Sequence, residues 1–191
     1  MGNEEEEGSG SLSETEYTLG TQCGITFAGL KPASLFWMKN RCVESLGTYA
    51  EAFAKRDFAF KVLRENDGKS LLFVYHRVRL KNVLFRECNR EFLESRGYRY
   101  GTTEEAVELL KERISGDGEF PHEVGIYLGY PLDDVLGFMN SSSEGVCFAG
   151  YWKVYAEPEK KAKLFAQYRR CSDRICCKLS EGDSLTAIFK V

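Results

Sequence analysis

Histidine is nearly absent from this chain of 191 residues. Only His76 and His122 occur, so imidazole chemistry near neutral pH has two candidate positions. Proline is scarce at four residues, and the longest apolar runs, such as Leu71–Tyr75, are far too short to cross a bilayer. The first residues lack the basic-then-apolar pattern of a secretory leader. Neither sign of charge dominates: a net charge of −3 with both signs dispersed gives no global field to attract nucleic acid or anionic lipid. These absences point to a cytoplasmic protein without membrane or nucleic-acid partners. On oligomeric state the residues are silent.

Paired cysteine motifs are missing as well. The seven cysteines, Cys23, Cys42, Cys88, Cys147, Cys171, Cys176 and Cys177, are odd in number, scattered and without a C-x-x-C pair. A secreted disulfide framework uses an even set at loop positions, whereas several of these fall within apolar periodic runs and read as small buried hydrophobes. Cys171-x4-Cys176-Cys177 lacks zinc-ligand spacing and has no histidine beside it, so no metal site is expected. The phosphate loops of nucleotide-binding proteins are missing too, and no cofactor is specified.

Aromatic residues are plentiful. Thirteen Phe and ten Tyr supply core material for a chain long enough to bury about 70% of its unfolded surface. Residues 1–16 form an acidic, Gly/Ser-rich tail with almost nothing to bury, expected to stay disordered unless a partner holds it. Residues 17–191 read as a single globular domain.

Within that domain, Pro32 suits the first turn of a helix carrying Leu35, Met38, Cys42, Leu46, Tyr49 and Phe53 at intervals of three and four. Phe58, Phe60 and Val62 alternate, as do Leu71, Phe73 and Tyr75, and the Asp67-Gly68 pair between them is a strong hairpin signal. A second helix carries Leu80, Leu84, Cys88 and Phe92 and stops near Gly97. A third opens at Thr102, with Glu105 at capping-box spacing, and ends at Ser115-Gly116. Val124–Leu128 reads as a third strand, Pro131 as the N1 residue of a short helix, and Val146–Tyr155 as a long fourth strand. A last helix from Pro158 to about Leu179 carries Phe165, Tyr168, Ile175 and Leu179 on one face. Opposite them, Lys160, Lys163, Arg170, Arg174 and Lys178 make a basic stripe without interleaved aromatics, which reads as a solvated face rather than a nucleic-acid surface. The order predicts an α+β fold: a mixed sheet of about four or five strands with helices packed on it.

The densest stretch in special residues runs from Phe120 to Tyr155. His122-Glu123 precedes the predicted strand, where an imidazole is either poised for proton transfer or simply bonded to a backbone carbonyl. Gly129-Tyr130-Pro131 is a turn whose free N–H groups could face an anion, although Asp133 and Asp134 would repel a phosphate. Lys153 lies between Tyr151 and Tyr155 on one strand face, opposite Trp152. A lysine in such a row needs a carboxylate or a ligand, and Glu123 is the nearest candidate in the motif.

Gln22-Cys23-Gly24 and the block His122-Glu-Val-Gly-Ile-Tyr-Leu-Gly-Tyr130 resemble the two halves of papain-like peptidases of the double-glycine and phytochelatin-synthase type. That likeness implies a cysteine nucleophile at Cys23 and a base at His122. Here, however, Gln is adjacent to Cys rather than spaced from it, and the predicted helix starts some nine residues late.

A more extensive likeness rests on Cys23 with Gly29-Leu30-Lys31-Pro32, on the block from Phe120-Pro-His-Glu-Val-Gly-Ile-Tyr-Leu-Gly-Tyr-Pro-Leu-Asp-Asp-Val-Leu-Gly to Phe138, and on Gly150-Tyr-Trp-Lys-Val-Tyr155. From about Cys23 to Ile175 the chain resembles an uncharacterised bacterial family, domain of unknown function 3793. The resemblance implies a single-domain cytosolic protein and no particular activity. It marks Cys23, Lys31, His122, Glu123, Tyr130, Trp152, Lys153 and Tyr155 as positions of interest.

Two functions from different classes stand open. In the first, the chain is a binding or accessory protein for a small molecule or partner protein. Its ligand-binding residues Lys31, His122, Glu123, Tyr130, Trp152, Lys153 and Tyr155 surround a pocket between the 120–131 and 150–155 motifs, with His122 at its mouth and Lys153 inside. In the second, it is a papain-like cysteine-dependent hydrolase or transferase with Cys23 and His122 as catalytic residues.

Overall fold

Strand β3 (Lys69–His76) is the layer on which the rest is stacked, and its residues are buried on both faces. It pairs antiparallel with β1 (Ala33–Lys39) on one side and β2 (Phe58–Asn66) on the other, giving the order β1-β3-β2. The computed structural model describes residues 13–116, 118–141 and 143–191. The fold is α+β as expected, but this sheet has three strands, all antiparallel. Two very short strands, β4 (Phe148–Ala149) and β5 (Lys153–Val154), pair separately as a second sheet.

Alternation along β3 divides the interior in two. Leu71, Phe73 and Tyr75 enter one core, with helices α4 (Arg77–Leu84), α5 (Glu87–Ser95), α6 (Thr103–Ser115) and α7 (Val124–Tyr127) supplying Leu80, Leu84, Leu93, Leu110, Ile114 and Tyr127. Leu72 and Val74 enter the other, against α1 (Glu14–Phe27), α3 (Gly47–Ala54), α9 (Pro158–Ser180) and α10 (Leu185–Phe189). In that second core Phe27 and Phe53 stack at 3.9 Å, with Phe58 and Phe189 edge-on around Phe27. The hairpin joining β2 and β3 turns through Asp67 and Gly68, both at positive φ, as the Asp-Gly signal requires. The Thr102–Glu105 capping box opens α6 as predicted.

The N-terminal part departs from expectation. The first helix lies before Pro32, not after it. Ser13 caps α1 by accepting from the Glu16 N–H, and Glu14, expected in the tail, pairs with Lys39 and Arg41. Those two cations hold the Glu14 carboxyl below its usual range. Glu16 accepts from the Leu185 N–H, so residues 14–16 are part of the packed structure. The remainder of the predicted tail, residues 1–12, lies outside the described residues. Residues 33–39 form β1 because Phe36 and Met38 alternate inward while Trp37 faces out. The helical stripe continues only as α2 (Asn40–Val43) and α3.

Further along, the predicted second helix is two, α4 and α5, broken at Phe85–Arg86. The predicted strand at 124–128 is the single-turn helix α7, and the long strand at 146–155 is the tight β4–β5 hairpin. Helix α8 (Leu132–Asn140) follows Pro131, which stands just before the helix rather than within it. Helix α10 was not anticipated.

Helix α9 has the predicted faces: Phe165, Tyr168, Ile175 and Leu179 are buried, while Lys163 and Arg174 are exposed. It closes on α1 where Gly20 and Gly24 leave room. A Cβ on Gly24 would stand 2.7 Å from Ile175 Cδ1. Ile175→Asp places a charge without a partner in this seam and is expected to destabilise by roughly 3 kcal/mol or more. Charge reversal at Lys163 and Arg174 is expected to change stability by less than about 1 kcal/mol. Thermal midpoints measure both, and unfolding by the charge reversal would show that the faces are misassigned.

Candidate functional site

The two motif segments meet through the ends of two helices. Helix α7 ends with Gly129 at φ +80: the Gly129 N–H donates to Ile126 O and the Tyr130 N–H reaches back to Gly125 O. Helix α1 ends the same way, with Gly29 at φ +75, its N–H on Thr26 O and the Leu30 N–H on Ile25 O. This arrangement satisfies the last carbonyls of a helix and turns the chain sharply away. The two turns pack on each other: a Cβ at Gly129 would stand 2.5 Å from Pro32 Cδ. The contact brings Lys31 to Tyr130, with Nζ 5.7 Å from the ring centroid.

Beyond Tyr130, the β4–β5 hairpin lays Trp152 on the tyrosine ring, with centroids 4.7 Å apart and planes 26° apart. The hairpin is held by Asp134, a buried carboxylate in the first turn of α8. Asp134 Oδ2 accepts from Trp152 Nε1 at 2.7 Å and lies 2.8 Å from Lys161 Nζ. Its Oδ1 accepts from the Tyr155 N–H at 2.8 Å and the Ala156 N–H at 3.2 Å. Burial by itself would raise the Asp134 carboxyl, but the Lys161 ammonium and the three N–H donors outweigh it and hold the group below the usual carboxylate range. Close approaches complete the assembly: Gly137 admits the Tyr155 ring and Gly150 the Phe165 ring, where a Cβ would stand 2.4 and 2.5 Å away.

Between α7, α8 and the hairpin lies a cavity of about 210 Å³, walled by Val124, Val135, Phe138, Tyr130 and Trp152, with His122 and Lys153 also on its lining. The His122 ring meets Phe138 edge-on at 5.0 Å, and Lys153 Nζ lies 5.5 Å from the Phe138 centroid. The 120–131 and 150–155 motifs therefore border one concavity.

Lys153, exposed overall, is part of that lining. Other predicted residues lie elsewhere. Glu123 is buried and pairs with Arg96 at 2.9 Å, not with Lys153. Tyr155 is a clamp: its hydroxyl donates to Ser141 O and its ring lies on Gly137. Lys31 lines a second cavity, which also includes Tyr130 in its wall. Cys23 sits in the interior of α1, fully enclosed among the residues of the second core, and burial pushes its thiol up, well above the ordinary range. It is remote from the helix N-terminus that would favour a thiolate. Among the described residues no hydrogen bond links it to His122. Nor do they hold a group of three or more His, Cys, Asp or Glu side chains able to bind a metal ion.

Sequence reasoning missed Asp134, Lys161 and Phe138. The family model for a protein of unknown function, DUF3793, matches residues 19–189, nearly the whole chain. The chain belongs to that family. No curated protein and no solved structure matches it. In this DUF3793 protein no described helix is long and apolar enough to cross a membrane.

The Asp134 cluster yields a test. Asp134→Asn turns an amide donor toward Lys161 and Trp152, both donors, and leaves a buried ammonium without its counter-charge. A loss of about 3–5 kcal/mol in chemical denaturation is expected. Because the folded carboxyl lies below its unfolded value, its contribution is fully present above about pH 4 and falls away as pH drops through the folded value. Wild type should therefore lose stability on acidification below about pH 4 more steeply than Asp134→Asn. Parallel acid limbs would show that the carboxylate contributes nothing.

Proposed function

We propose that this protein is a binding or accessory protein whose cavity between α7, α8 and the β4–β5 hairpin receives one apolar group, the size of a single ring or a short acyl chain. The observation that carries this reading is the wall itself: Trp152, Tyr130, Phe138, Val124 and Val135 face a space of about 210 Å³ with little polar surface. A dry cavity of about 150 Å³ is enough to take up benzene. The group belongs to a free small molecule or to an anchoring side chain of a partner, since both present the same chemistry. No geometric feature favours a hydrolase or transferase using Cys23, because its thiol is enclosed and lacks a described bond to His122.

Trp152 reports on the cavity, and Trp37→Phe removes the chain's other indole from a half-exposed position on β1. In that background, titration with p-cresol or hexanol is expected to change Trp152 fluorescence saturably. Phe138→Ala, which removes one wall, is expected to weaken binding about tenfold, since a buried ring contributes on the order of 1–3 kcal/mol. If no ring- or chain-sized probe gives a saturable change, the cavity is not a binding site.

A further inference from the structure

Beside Tyr130 lies a second cavity, of about 200 Å³ and different in character. Lys31, Ser34, Gln22, Ser172 and Tyr151 line it with Tyr130, and no acidic residue does. Lysine 31 is its only charge. Lys31 is half-buried. Burial pushes its ammonium down to about 8. Among the described residues the ammonium has neither ion pair nor hydrogen bond; it lies over the Tyr130 ring. Every buried lysine elsewhere in a protein is under the same pressure to find a counter-charge. Lys161 has found one in Asp134, and Lys31 has not.

We propose that this cavity is an anion site for the carboxylate of a small organic acid, with the Lys31 ammonium as counter-charge and the Ser172 hydroxyl and Gln22 amide as neutral donors. Neither Ser172 nor Gln22 is engaged elsewhere among the described residues, whereas Ser34 is already bonded to Thr26 at 2.8 Å. Gln22 is exposed and Ser172 half-buried. One cation with neutral donors balances a monoanion. A phosphate dianion would leave one negative charge unbalanced by the single ammonium of this lining. Leu35, Leu128 and Ile25 supply apolar surface for the few carbons such an acid carries. The site adjoins the apolar cavity, sharing Tyr130 and Tyr151 with it, but does not depend on that reading.

The test is a titration of the isotope-labelled full chain with butyrate and, separately, with inorganic phosphate, read at the Lys31 side-chain resonances. A saturable butyrate-dependent shift of Lys31 and of the Ser172 and Gln22 signals supports the proposal. Lys31→Met, which keeps the stem, should weaken butyrate by about tenfold or more, because a charged hydrogen bond is removed. Should that variant not fold, the wild-type Lys31 signal together with Ser172→Ala decides. No saturable shift, equal affinity in the Met variant, or a response to phosphate alone overturns the carboxylate assignment. Trp152 fluorescence with ring-sized probes stays available as an independent readout, so the two sites stand or fall separately.

Discussion

Asp134 is the group on which the site's architecture depends. A hairpin with two residues in each strand cannot hold itself together in water. Here its return strand is fastened at three points to one carboxylate: by the Trp152 indole and by the backbone N–H groups of Tyr155 and Ala156. Lys161 ties the same carboxylate to the second turn of α9. Helix α8, the hairpin and the longest helix thus share one buried anion. Desolvating a charge to this degree is costly, and the cost is offset only because all four donors are in place. This is why removing one charge of the pair is so much worse than replacing a surface ion pair. It is also why the stack of Trp152 on Tyr130 has a fixed orientation.

Much of the central fold was legible in the residues, and the reasons are local. The Asp67-Gly68 turn leaves few alternatives for the strands flanking it, and the alternation of Leu71, Phe73 and Tyr75 with Leu72 and Val74 describes a strand covered on both faces. The Thr102–Glu105 box and the apolar face of α9 are equally local signals. The misplaced first helix came from reading Pro32 as a beginning. Gly29-Leu30-Lys31-Pro32 and Gly129-Tyr130-Pro131 carry the same message, a glycine that ends a helix followed closely by a proline that prevents its resumption. Reading both as terminations would have turned the predicted strand at 124–128 into α7 and moved the first helix ahead of Pro32.

The candidate site was legible only in outline. The segments 120–131 and 150–155 do converge on one cavity, since neighbouring elements joined by a short helix tend to be adjacent. Which side chains enter it was not legible. The acid at the first turn of α8 looked like a helix-dipole residue, and Lys161 looked like one more cation on a basic helix. Their pairing spans 27 positions of chain and depends on how a two-residue hairpin folds back, which no local pattern encodes. Glu123 went to Arg96 for the same reason: α5 passes the start of α7 through a tertiary contact, not a sequence neighbour.

Buried Lys161 and half-buried Lys31 stand in opposite circumstances. Lys161 faces a carboxylate that three further donors also bond, so that pair is structural. Lys31 faces an aromatic ring, a buried neutral thiol and hydroxyls, none of which neutralises it. A structural lysine normally recruits its counter-charge from the fold, as Lys161 does. One held at the junction of two helix ends without such a partner keeps its charge available to whatever enters the cavity. The two glycine turns, packed on each other at Gly129 and Pro32, bring Lys31 to Tyr130.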